Sequence, residues 1–149
     1  MQRLIHRDRK IKVGGEVVGL DISIKGLEWK DTYHCGYITF NVYRRKVASA
    51  YNKRLGELYE KAFIDNLQEK EIFEWNNLCN DDLDIFLWHS DCDGKLTPKE
   101  CKKIYEVMKD LKVEMQGHNY VEMNFYDMHQ LWLNMFKHCY KNRVNMYFY

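Results

Sequence analysis

A chain of 149 residues with 46% hydrophobic and 30% charged side chains and one proline has the make-up of a single folded domain, which argues against long disordered or low-complexity segments. A formal net charge of +1 removes the electrostatic case for general nucleic-acid binding, and no apolar run is long enough to span a membrane. The five cysteines, Cys35, Cys79, Cys92, Cys101 and Cys139, are odd in number, have no close CxxC pair and follow no secretory leader, so reduced thiols, no structural zinc and a cytoplasmic location are expected.

The chain opens on a basic stretch with Arg3, Arg7, Arg9, Lys10 and Lys12, read as edge-protecting surface charge. β-Branched residues on both sides of Gly14 and Gly15 predict a hairpin, since glycine supplies the positive φ of tight turns. Leu20, Ile22 and Ile24 then alternate with Asp21, Ser23 and Lys25, the pattern of a strand with one wet face. The 26–36 connection carries Trp29, Tyr33, His34 and Cys35, and its mixed aromatic and polar character suits either a binding loop or a cover for the core. Thr39 is a natural cap for a long helix over 40–63, in which Val47, Tyr51, Leu55, Leu58, Tyr59 and Ala62 keep a helical period. After a break at 64–68 come a short helix over 69–78 and another over 81–88, the latter capped by Asn80 and acidic in its first turn.

Residues 89–100 join that helix to the next. Asp91 and Asp93 alternate, Gly94 permits a sharp bend, Leu96 is an apolar plug and Glu100 can reach back from the following helix. The run resembles the calcium loop of EF-hand proteins, in which oxygen ligands come from alternate positions and a closing Glu binds bidentately. That resemblance implies Asp91, Asp93, the Lys95 carbonyl, Thr97 and Glu100 as calcium ligands. The opening position departs from the pattern, because His89 stands where the motif has Asp, and imidazole is a poor ligand for a hard cation. Thr97, Pro98 and Glu100 also spell a capping box, which accounts for Glu100 without any ion. No metal is therefore favoured.

Cys101, Ile104, Met108 and Leu111 give the following helix its apolar stripe. Gly117, His118, Asn119 and Tyr120 then form a polar turn, and Asn124 caps a last helix on Met128, Leu131, Trp132, Met135 and Cys139, with His129 and His138 expected at its surface. The apolar end, residues 144–149, needs a strand partner, and the opening strands supply it. The expected fold is α+β, a single domain over 1–149 in which a small antiparallel sheet of N-terminal strands and the C-terminal strand packs against about five helices.

There is no phosphate loop, nucleophile elbow or HExxH motif, so a non-catalytic binding function with no cofactor ranks first. The runs HSDCDGKLTPKECKKIYEVMKDL and VNMYFY give the chain a resemblance to small uncharacterised proteins of phages and prophages of Gram-positive bacteria. The resemblance implies an accessory protein acting in the bacterial host cell. Two modes fit it: sequestration of a nucleotide-derived defence signal, or inhibition by direct binding to a host protein, with homo-oligomers open to either. Aromatic side chains at 15% of the chain suit stacking on bases, and the candidate ligand-binding set is Trp88, His89, Asp91, Asp93, His118, Asn119, Tyr120 and Arg143. EF-hand-like calcium binding is the remaining alternative. Elemental analysis of the purified protein is expected to find no stoichiometric zinc; a zinc-to-protein ratio near one would contradict the reading of the cysteines.

Overall fold

Alternation of apolar and polar residues makes a strand where expected: β1 (Leu20–Ile24) buries Leu20, Ile22 and Ile24 and turns Asp21 and Ser23 outward. This is seen in a computed structural model, which describes residues 19–113 and 124–149. The expected hairpin around Gly14 and Gly15 and the turn at Gly117 to Tyr120 lie outside the described residues. A 3-10 turn at Trp29–Asp31 leads into β2 (His34–Cys35), a short strand inside what the sequence presents as a loop. The helices are α1 (Tyr37–Tyr51), α2 (Lys53–Ile64), α3 (Glu69–Leu78), α4 (Asp81–Leu87), α5 (Pro98–Met108) and α6 (Phe125–Asn142); β3 (Lys95–Leu96) lies between α4 and α5, and β4 (Met146–Phe148) closes the chain.

The four strands form an antiparallel sheet in the order β2-β1-β4-β3. The C-terminal strand pairs with the N-terminal one, Ile22 opposite Phe148 and Ile24 opposite Met146, so the α+β fold is as the pattern predicts. On its other edge β4 takes up β3, with Leu96 opposite Met146 and the Phe148 amide donating to the Gly94 carbonyl at 2.9 Å. The loop at 89–100 is thereby stitched into the sheet.

The long helix expected over 40–63 is two helices. Asn52 adopts an extended backbone (φ −161°, ψ 128°), ends α1 and caps α2 by accepting the Leu55 amide at 3.2 Å. Its two neighbours pack closely across the corner, where a Cβ on Gly56 would collide with the Ser49 side chain. The apolar period survives the corner because both helices present the same side to one core, which is why periodicity alone misses the break. Thr39 is likewise no cap: α1 begins at Tyr37 directly after β2, with Gly36 at the N-cap position, and Thr39 is buried within it.

Most of the aromatic complement is core. Trp132 of α6 is fully buried and packs against Phe40 and Tyr43 of α1, Phe86 of α4, Phe148 of β4 and Tyr33, with ring centroids 5.1–6.3 Å apart. His129, expected at the surface, is 3% exposed. It faces the Tyr43 hydroxyl through Nδ1 at 2.8 Å and the carbonyl of Met108, the last residue of α5, through Nε2 at 3.1 Å. Its place at the edge of the apolar stripe is a contact line with two other helices.

Arg44 holds the other polar knot of the core. Its guanidinium is fully buried, donates to the Phe86 and His89 carbonyls at 3.1 and 2.7 Å and to Asn41 Oδ1 at 3.0 Å, and stacks over Phe40. The two carbonyls lie at the C-terminal end of α4, where the Phe86 oxygen also accepts the His89 amide at 3.3 Å, and the chain leads straight into the 89–100 loop. Arg44→Leu is expected to cost about 3–5 kcal/mol, because buried acceptors lose their donors with no water to replace them. Arg44→Lys should be intermediate, keeping the charge but losing the fork; chemical denaturation measures both.

Candidate functional site

Two places gather polar and aromatic groups. The first is the 89–100 loop. Asn80 caps α4 by accepting the Asp82 and Leu83 amides, α4 runs to Leu87, and Trp88 turns the chain into the loop. The Gly94 bend has a positive φ of 85°, the left-handed conformation that a side chain disfavours. The capping box then launches α5: Thr97 Oγ1 accepts the Glu100 amide at 3.2 Å and Glu100 Oε1 accepts the Thr97 amide at 2.8 Å.

The Asn80 cap, the Gly94 bend and the Thr97–Glu100 capping box stand where residue spacing places them, yet three of the oxygens that calcium would need are engaged with the loop itself. Glu100 is turned to the Thr97 amide, Asp93 Oδ1 accepts the Gly94 amide at 2.8 Å, and the Lys95 carbonyl lies 3.1 Å from His89 Nε2. Asp91 is fully buried. Among the described residues no group of three or more His, Cys, Asp and Glu side chains is placed to hold a metal ion. The residues do not fit calcium in this arrangement.

Of the candidate ligand-binding residues, Trp88, His89 and Asp91 stand together, and their surroundings are close-packed. The Trp88 ring lies on Tyr59 at 4.9 Å and against Trp75 at 5.0 Å within the core. The His89 ring packs on Phe148 at 3.9 Å. Asp93 is exposed, and Arg143 is exposed as the left-handed cap of α6 in the connection to β4. His118, Asn119 and Tyr120 lie outside the described residues.

The second place is one that the candidate set passed over. Trp29 is 69% exposed and lies face to face on His34, with centroids 3.3 Å apart and planes within 9°. One indole face is covered and the other is open. His34 is fixed from both sides, by Asp21 Oδ1 at Nδ1 and by Thr32 Oγ1 at Nε2, each at 2.7 Å. Beside the stack is a cleft of about 200 Å³ lined by Trp29, Lys30, Thr32, Tyr33, Met128 and Leu131 together with His34 and Cys35. The sequence signal was a tryptophan in a polar loop five residues before a histidine; Asp21 gave none, because strand alternation only marks it as outward.

The order Asp21, His34, Thr32 is also that of a nucleophilic triad. Thr32, however, is 7% exposed and its hydroxyl donates to the Trp29 carbonyl at 3.0 Å, so the chain orients His34 and closes the 3-10 turn. Its bonds hold the His34 ring on which Trp29 lies. No family model matches the chain, and no curated protein or solved structure is significantly similar to it.

Burial lowers the pKa of His89, against the opposing pull of the Ser90 and Lys95 carbonyls on its ring, and lowers that of His129 in the core. In the unfolded chain both take up protons near about pH 6.5, whereas the folded protein resists doing so until lower pH, so unfolding becomes easier as pH falls below that point. Denaturation midpoints are therefore expected to fall between pH 7.5 and 5. Glu71 and Glu74, whose pKa values are lowered by bonds to Lys61 and Arg54, add to the loss only in the more acid range of carboxylates. His129→Gln, which can still meet Tyr43 and Met108, should flatten the upper part of the profile; a wild-type midpoint that is constant or rises on acidification contradicts the assignment.

Proposed function

We propose that the protein is a non-catalytic ligand-binding protein that takes up a nucleotide-like small molecule, an accessory protein of the kind by which a phage withdraws a nucleotide-derived host defence signal. The observation that carries this reading is the open face of Trp29 above a His34 ring that is itself bonded in place. A rigid indole with one free face is a stacking platform for a planar heterocycle, and its ordering cost is already met by the Asp21 and Thr32 bonds. Lys30, exposed and loosely paired with Glu28 at 3.7 Å, stands next to the platform as a donor for phosphate.

Size narrows the ligand. The cleft of about 200 Å³ falls below the roughly 300–1,000 Å³ of pockets that enclose a whole drug-sized molecule. It takes one base or comparable ring, with ribose and phosphates meeting the rim. Catalysis is not required of such a site, and the chain Asp21, His34, Thr32 serves it as an anchor.

Calorimetry with a panel of cyclic and ADP-ribose-type nucleotides tests the reading, with heat denaturation afterwards to recover the ligand chemically intact. At least one member is expected to bind, and Trp29→Ala to weaken it about 10- to 100-fold, the loss of one stacked base. Recovery of a cleaved ligand would contradict the non-catalytic part. No binding across the panel would move the function to direct contact with a host protein. That second reading rests on Ile38 and Ile64, which are 57% and 77% exposed and line a separate cleft of about 240 Å³ between α1 and α2.

A further inference from the structure

We infer that the place a cation would take in the 89–100 loop is filled by the loop's own His89 ring, so that α4 and α5 are held in one arrangement by side-chain bonds and are not switched by calcium. In a calcium loop the first side chain, the carbonyl of the seventh residue and the carboxylate of the twelfth converge on the ion. Here the first side chain bends across the loop to the seventh carbonyl: His89 Nε2 is 3.1 Å from the Lys95 oxygen, and Nδ1 is 2.9 Å from that of Ser90. The ring rests on the Gly94 bend, where a Cβ would come within 3.5 Å of its Cε1, and its face lies on Phe148. It stands among the backbone oxygens that an ion would otherwise attract.

The surroundings oppose a divalent ion as well. Arg44 donates to the His89 carbonyl at 2.7 Å, which places a buried, permanent positive charge beside the first position of the loop. Glu100, the closing carboxylate, is engaged in the α5 cap, and β4 lays the apolar Phe148 against the ring. Opening the helix pair would also break the pairing of Lys95 and Leu96 with Tyr147 and Met146 and the bond from the Phe148 amide to Gly94. The helix pair is thus tied to the sheet, which is itself tied to β1.

The test is calcium calorimetry with thermal unfolding in EDTA and in excess calcium, on the full chain. The wild type is expected to give no binding heat and the same midpoint in both. His89→Asp removes the ring and restores the missing carboxylate, so it should unfold earlier in EDTA, regain stability with calcium and bind it in the weak range of about 10⁻⁴–10⁻³ M. Micromolar calcium binding by the wild type that Glu100→Gln abolishes overturns the inference, as does a folded His89→Asp that ignores calcium. Should that variant fail to fold even with calcium, nitrogen-15 NMR of the wild type decides: a His89 ring N–H protected from solvent exchange supports the closed loop, and a freely exchanging ring overturns it.

Discussion

The Arg44 guanidinium is the constraint on which the rest of the described structure depends. It projects from α1 into the core and donates to the carbonyls at the end of α4, so the first helical hairpin and the loop leading to β3 are fixed to one another by a single fully buried cation. Burial of such a charge is tolerated only where its donors are used. Asn41 supports it from one turn earlier, sharing its Oδ1 between Arg44 and the Tyr59 hydroxyl of α2. The result is a polar knot at the junction of α1, α2 and α4, and it explains why α4, only seven residues long, ends where it does.

A second side chain of the same logic closes the other half. His129 meets the Met108 carbonyl at the end of α5, which also accepts the Leu111 amide, while accepting from Tyr43 of α1, so a side chain from another helix bonds to a C-terminal carbonyl of both α4 and α5. Neither helix needs the usual glycine at its end. Between these knots lies the aromatic cluster around Trp132, whose rings come from α1, α4, α6 and β4. Rings of this size set the spacing of the elements, and the polar knots set their register.

The proposed binding site lies at the margin of this frame. The 89–100 loop looks like the reactive part of the sequence because its residue types alternate as cation ligands do, yet the Lys95 carbonyl, Asp93 Oδ1 and Glu100 Oε1 are turned to groups of the loop itself. The Trp29 and His34 stack has the opposite character: its partners hold it from below and leave one face to solvent. An aromatic surface kept open at the cost of apolar exposure, on a ring that is already immobilised, is the arrangement that binding favours.

The sequence by itself determined whatever depends on near neighbours. Strand β1 follows from the alternation of Leu20 to Ile24, α4 from the Asn80 cap, α5 from Thr97, Pro98 and Glu100, and α6 from Asn124 and its apolar stripe; each rests on period or capping within a few residues. The pairing of β4 with β1 was legible as well, since an apolar strand has few places to go. Only the tertiary structure decided the corner at Asn52, the burial of His129 and the extension of the sheet to β3, because each depends on a partner distant in sequence: on the packing of two helices, on Tyr43, and on β4. The candidate site divides the same way. Its loop was visible as residue spacing, while the closure of that loop by His89 and the platform of Trp29 on His34 were not, because a hydrogen bond or a ring stack is set by side-chain direction in space, which spacing along the chain does not encode.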